Sequence, residues 1–260
     1  MSQLKDAILS TTASGDKAFI PYIMAGDGGL EKLMPTILKL QQLGVTAIEV
    51  GIPFTDPVAD GPTIERAGER ALASGTTLRK VIETLSSFAD EITVPLVAMT
   101  YLNPILAYGV EQFAVDAKAA GIRGLIIPDM PLEESEIVRP ALSEAGVSLV
   151  QLVSLTSTPE RMERLTKASE GFIYAVTVNG ITGARSSFAN ELETHFNKIQ
   201  SYTDTPVLAG FGISTPAHVQ DFGAFCSGVI VGSKIVDSLV MEDWATIEAL
   251  VVTSKGAAVK

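Results

Sequence analysis

Glu49 interrupts an otherwise apolar run, Ala47-Ile48-Glu49-Val50-Gly51, whose composition predicts a buried strand. Side chains alternate along a strand, so Glu49 shares a face with Ala47, while Ile48 and Val50 occupy the other. In a closed barrel one of these faces looks inward and the other toward helices, and both are largely dry. An ionised carboxylate there is expensive unless it is paired or its pKa rises. A Glu so raised can give and take a proton near neutral pH, which is what general acid–base catalysis requires. The bland alternative is a Glu that reaches solvent from the strand end or pairs with a distant Lys or Arg. Its position at the C-terminal end of a barrel strand favours chemistry. Asp60 lies in the following loop, Thr55-Asp56-Pro57-Val58-Ala59-Asp60-Gly61-Pro62-Thr63. Read alone, Asp60 is a cap for a helix opening at Pro62, and Asp56 before Pro57 is a turn residue. Yet both carboxylates come from one strand–loop unit, so they can face one mouth from different surroundings and take separate roles.

Three glycine-rich turns follow the last three expected strands: Asn179-Gly180-Ile181-Thr182-Gly183, Gly210-Phe211-Gly212-Ile213-Ser214 and Gly232-Ser233. Glycine lets backbone amides approach a ligand closely. Ser214-Thr215-Pro216 reads as a helix cap followed by a first-turn proline, and Ser233 is expected to cap a helix over Lys234–Leu239. Loops after the seventh and eighth strands, with a short helix N-terminus, form the usual phosphate site of such barrels. With a net charge of −11, a phosphate bound here is expected to be held by local backbone dipoles rather than a basic field. That charge argues against nucleic acid and anionic membranes as partners.

These groups need a scaffold. Strand-like runs fall at Phe19–Ile23, Ala47–Val50, Leu96–Met99, Gly124–Ile127, Ser148–Leu152, Phe172–Val176, Val207–Ala209 and Gly228–Val231, each followed by a segment able to form a helix. They are apolar along their length, as parallel strands covered on both faces are. With 260 residues and no linker or break in composition, the expectation is one (β/α)8 TIM-barrel domain over residues 1–260. Pattern alone leaves a doubly wound sheet open. An extra N-terminal helix over Leu4–Thr12 would close the bottom, and short helices would serve the phosphate. Leu30, Leu33, Ile37 and Leu40 form one helical stripe, with Pro35 either in its first turn or kinking it; Ile137, Leu142 and Ala145 form a looser one. The tail Lys255–Lys260 is expected to fray. Cys226, the single cysteine, reads as a small packed side chain, and His195 and His218 as surface or core residues without catalytic company. No apolar run is long enough for a membrane span and the N-terminus lacks a signal-peptide core, so a cytoplasmic location is expected.

The stretch from Glu49 through Ile64, together with Phe19-Ile20-Pro21-Tyr22, Tyr101 through Pro104, Pro128-Asp129-Met130-Pro131, Gly180-Ile181-Thr182-Gly183 and Gly210-Phe211-Gly212-Ile213-Ser214, resembles the signature of tryptophan synthase α chains. The matches run from the first strand to the last. The resemblance implies retro-aldol cleavage of indole-3-glycerol phosphate to indole and glyceraldehyde 3-phosphate, with Glu49 as acid–base and Asp60 accepting the indole N–H. It implies phosphate binding by Gly183, Phe211, Gly212, Gly232 and Ser233. The indole would lie among Tyr22, Met99, Ile126 and Ile230, with Tyr101 and Tyr174 nearby and Thr182 on a closing loop. It also implies a partner, a pyridoxal-phosphate-dependent β chain in an α2β2 complex, met by Asp56, Pro57, Asn103 and Pro104, with no metal or cofactor in this chain. Tyr22 departs from the family pattern, in which phenylalanine is common.

Other readings compete. A Schiff-base aldolase needs a lysine in the barrel mouth, and no expected strand carries one. A free-standing indole-glycerol phosphate lyase would share the whole site. A non-catalytic subunit sensing a phosphosugar would have no need of a costly buried Glu.

Overall fold

Phe19 and Ile20 point to opposite sides of the first strand, and that alternation organises the molecule. Ala18, Ile20, Ala47, Val97, Ile126, Val150, Phe172, Leu208 and Ile230 pack into one inner cluster, whereas Phe19, Ile48, Ala98, Leu125, Ala175 and Val229 join an outer cluster with the helices. The computed structural model describes residues 2–177, 185–210 and 212–256, with 185–191 described by backbone alone. Its strands are β1 Ala18–Met24, β2 Ile48–Gly51, β3 Leu96–Met99, β4 Ile122–Ile126, β5 Ser148–Leu149, β6 Gln151–Ser154, β7 Ile173–Val176, β8 Val207–Gly210 and β9 Gly228–Val231. The order β5-β4-β3-β2-β1-β9-β8-β7-β6 is parallel throughout.

The two ends of that order meet in one stretch of chain. β5 pairs with β4 and β6 with β7, while the intervening Val150 donates its amide to the Leu125 carbonyl at 2.9 Å. The expected fifth strand, Ser148–Leu152, is therefore two segments that share Val150 and close the barrel. The chain is a TIM barrel.

The helices are α1 Gln3–Ala13, α2 Leu33–Gln42, α3 Pro62–Ala73, α4 Leu78–Ser87, α5 Leu102–Tyr108, α6 Val110–Ala119, α7 Arg139–Ala145, α8 Pro159–Ala168, α9 Arg185–Gln200, α10 Pro216–Gly223, α11 Ser233–Val240 and α12 Trp244–Ser254. α1 is the expected bottom cap. Ser2 opens it by accepting the Lys5 amide, and Leu4 and Ile8 are fully buried in the inner cluster. A Cβ on Gly124 would stand 2.6 Å from Leu4 Cδ2, so Leu4 occupies space that a side chain at this position would need. Pro35 sits in the first turn of α2, which it does not kink out of use: Leu33, Ile37 and Leu40 are all buried. Ile137 ends a 3-10 turn before α7 and is 42% exposed, so only Leu142 and Ala145 of that expected stripe face the core. At the other terminus Lys255 and Gly256 are anchored rather than frayed, to the Leu43 carbonyl and the Asp16 carboxylate; 257–260 lie outside the described residues. No described helix is long and apolar enough to cross a membrane. Cys226 is packed as expected, its thiol between the Phe222 and Gly228 carbonyls and pushed up to about 11 by burial.

Candidate active site

Glu49 belongs to the inward set. It is in register with Tyr22 of β1 on one side and Val97 of β3 on the other, and only 1% of it is exposed. Its Oε2 is buried with no hydrogen-bond partner among the described residues. Burial, with the nearby Asp60 charge adding to it, pushes this carboxyl up to about 8. The group is thus a neutral acid at neutral pH that can lose its proton at modest cost.

Asp60 has a different setting. α3 opens with Gly61 as its cap residue and no side-chain cap bond, so Asp60 does not do the capping that its position suggests. Instead its Oδ1 accepts the Tyr101 hydroxyl at 3.0 Å, and that same hydroxyl accepts the Ala59 amide at 3.1 Å. Partial burial raises the Asp60 pKa and the Tyr101 hydrogen bond pulls it back. Burial holds the Tyr101 hydroxyl well above its ordinary value. Phe54 stacks on the Tyr101 ring at 5.2 Å, fixing the group that fixes Asp60.

Around the carboxyls the inward positions supply an apolar chamber. Tyr22, Ile126, Tyr174 and Ile230 are buried and Met99 is partly so, all on the inner face expected of them. Two seats that the residue pattern did not suggest lie at Gly51 and Gly210. A Cβ on Gly51 would fall 1.9 Å from the Tyr22 hydroxyl, and one on Gly210 would fall 2.3 Å from the Tyr174 ring. Each tyrosine therefore leans across a glycine of the neighbouring strand. The only sign in the sequence was a glycine at an inward position where a larger residue would otherwise pack.

At the end of β9, Gly232 faces the mouth, where a Cβ would meet only Tyr22 Cβ at 3.8 Å and Ile64 at 4.0 Å. Gly232 is the cap residue of α11 and Ser233 is its first helical residue, with no side-chain cap bond. The expectation that Ser233 caps the helix is thereby corrected: the helix starts one residue earlier, which brings the free amides of its first turn to the mouth. Thr215 accepts the His218 amide and caps α10 directly before the first-turn Pro216. Gly212 holds a positive φ of 78°. Thr182, Gly183 and Phe211 lie outside the described residues. On the outer rim, Asp56 and Asn103 are exposed beside the half-buried Pro57 and Pro104. Val58, between them, is 81% exposed, and Leu106 on α5 is 47% exposed. Among the described residues no cluster of His, Cys, Asp and Glu could hold a metal ion, and no strand carries a lysine.

A closed barrel with an acid inside its mouth, a hydrogen-bonded aspartate beside it and a glycine turn opening a short helix belongs to the TIM-barrel class that works at the C-terminal ends of its strands. Within that class, the chain belongs to the tryptophan synthase alpha chain family, whose model matches residues 9–256. It is 49% identical over 250 residues to the tryptophan synthase alpha chain of Bacillus cereus (strain ATCC 10987 / NRS 248), covering 96% of this chain and 97% of that one. It is likewise 49% identical over 237 residues to the same-named chain of Bacillus anthracis, covering 91% and 92%. Among solved structures, tryptophan synthase subunit alpha from Legionella pneumophila str. Paris superposes with a TM-score of 0.88 at 31% identity, covering 99% of this chain and 98% of that one. A Mycobacterium tuberculosis tryptophan synthase chain gives 0.89 at 35%, covering 98% of each.

Proposed function

We propose that this chain is a lyase that cleaves indole-3-glycerol phosphate to indole and glyceraldehyde 3-phosphate. The observation that carries the reading is Glu49, buried in the barrel with an unpartnered Oε2 and a carboxyl pushed up to about 8. In its neutral form Glu49 donates its proton to the indole ring carbon that bears the side chain. Positive charge then develops at the ring nitrogen, where ionised Asp60 accepts the N–H and offsets that charge in a water-poor site. Glu49, now a carboxylate, takes the proton of the side-chain hydroxyl next to the carbon–carbon bond. The hydroxyl oxygen becomes the aldehyde carbonyl, the bond breaks, and its electron pair returns to the ring. The proton given equals the proton taken, so one residue in a dry pocket suffices.

Tyr22, Met99, Ile126 and Ile230 supply the apolar chamber for the ring, with Tyr174 and Tyr101 at its edge. Gly212, Gly232 and the first turn of α11 at Ser233 present amides to the phosphate, in company with Gly183 and Phe211; this fits a chain of net charge −11, in which a basic field is lacking. Thr182 would act in loop closure over the substrate. The rim of Asp56, Pro57, Asn103 and Pro104 is read as the face toward a tryptophan synthase β chain in an α2β2 complex, with pyridoxal phosphate held by that partner. Exposed Val58 and Leu106 on the same rim support this, since apolar side chains there gain by being covered.

Purified protein mixed with indole-3-glycerol phosphate should release indole, faster when a β chain is added. Glu49→Gln should abolish release while ligand binding persists. Turnover near wild type in that variant would sink the assignment of Glu49, and absence of indole in both mixtures would favour a non-catalytic role.

A further inference from the structure

Outside the barrel lies a cleft of about 560 Å³, walled by α2, α3, α11 and the start of α12, and by the turn that leaves β1. It shares no residue with the mouth site described above. The turn contains Gly26, Gly28 and Gly29, all at positive φ, and a Cβ on Gly26 would stand 2.1 Å from Thr76 Oγ1. At these three positions the turn lines the cleft with backbone alone. The volume falls in the range of about 300–1,000 Å³ typical of small-molecule sites.

The lining has two parts of different chemistry. Leu33, Val236 and Leu239, with the partly buried Trp244, make an apolar wall. Against it stand three cationic residues, Lys32, Lys39 and Arg70, opposed by Asp27 and Glu242. Asp27 is already neutralised, since it accepts Arg70 Nε and Nη2 at 2.7 Å each. That bidentate pair fixes the guanidinium plane and leaves Nη1 without a hydrogen-bond partner among the described residues, although the Asp237 and Glu69 charges also act on Arg70. Lys39 is spent on the Trp244 ring, 4.0 Å from its centroid. Lys32 has neither an ion-pair nor a hydrogen-bond partner among the described residues. A lone ammonium and an oriented guanidinium edge beside an apolar wall select an anion with a flat hydrocarbon body.

We propose that this cleft binds a small aromatic carboxylate, its ring on the Leu33–Val236–Leu239 wall beside Trp244 and its carboxylate held by Lys32 and Arg70. Trp244 is the only tryptophan in the chain, so its emission reports on the cleft directly. The full-length protein is titrated with 3-phenylpropionate, which does not absorb where tryptophan is excited, and with propionate and 3-phenylpropanol as controls. The expected result is a saturable change in Trp244 emission, half complete below about 1 mM, at least tenfold weaker for the alcohol and absent for propionate. Lys32→Gln, at an exposed side chain without partners, should weaken the acid at least fivefold and leave the alcohol unchanged. If that variant does not fold, Val240→Asp, which sets a carboxylate at the cleft wall, should do the same. Saturating glycerol 3-phosphate, directed at the barrel mouth, should leave the titration unmoved. No saturable change, equal affinity for acid and alcohol, an unchanged affinity in the folded variant, or displacement by glycerol 3-phosphate would each overturn the proposal.

Discussion

The Tyr101 hydroxyl donates to Asp60 Oδ1 at 3.0 Å and accepts the Ala59 amide at 3.1 Å. One side chain from beyond β3 thus holds both the backbone and the carboxylate of the loop after β2. Tyr101→Phe removes both bonds. Because the Tyr101 hydrogen bond lowers the Asp60 pKa, its loss lets that pKa rise further. The acidic limb of kcat/KM, which follows ionised Asp60 in the proposed mechanism, should move to higher pH. The rate at its optimum should fall about 10- to 100-fold, equivalent to roughly 1.4–2.8 kcal/mol. A pH–rate profile measures both, and an unmoved acidic limb would show that Asp60 does not depend on Tyr101.

Glu49 should also mark stability. Folding raises its carboxyl from an ordinary 4.5 to about 8, so between those values the folded chain holds a proton that the unfolded chain has released. The stabilising difference is complete below 4.5 and is lost as pH rises toward 8. Urea unfolding of wild type and Glu49→Gln should therefore show a gap that is small near pH 5 and grows in favour of the variant by pH 8. Its upper bound is roughly 3–5 kcal/mol. A gap that does not change with pH would mean that Glu49 ionises normally.

Ser233→Asp separates phosphate binding from folding. A carboxylate in the first turn of α11 suits the helix dipole and should leave Tm equal or slightly higher, by about 0.3–1 kcal/mol of stability. The same charge repels a phosphate at those amides, so KM for a phosphorylated substrate should rise at least about tenfold. An unchanged KM would remove α11 from the phosphate site.

Gly124→Ala sets a methyl group 2.6 Å from Leu4 Cδ2 and 3.4 Å from both Val97 methyls. Overpacking of this kind costs about 1–3 kcal/mol. Leu4→Ala alone should cost about 2–5 kcal/mol. Combined, the two should cost less than their sum, because each relieves the other's misfit. Additive losses in denaturant titrations would deny the contact.

The strands were legible because a parallel strand covered on both faces is apolar along its whole length, and every expected run lies on or within a residue or two of an observed one. The division at Val150 was not legible, since a change of pairing partner leaves no mark on Ser148–Leu152. Alternation paired Glu49 with Ala47 but could not say which face looked inward. Read from local spacing alone, Asp60 looks like a cap, because its hydrogen-bond partner Tyr101 is 41 residues away and local spacing reports only local bonds. The helix at Ser233 was placed one residue late for a related reason. A serine before a helical run suggests a cap, while Gly232, with no side chain to signal its role, takes the position. The family motifs reached what spacing could not, joining Asp60 to Glu49 through one continuous stretch.

Leu4 and Ile8 do more than support the strands above them. With α1 wedged into the bottom and Phe172, Leu208 and Ile230 filling the layers over it, the barrel is blind at one end. A small apolar product released beside Glu49 is barred from the bottom and leaves at the mouth end, where Asp60 and Tyr101 stand. That doorway opens on the rim where Val58 and Leu106 stand uncovered. Escape to water and handover to a neighbour would then compete at the same threshold, and the outcome is set by what covers that rim when the bond breaks.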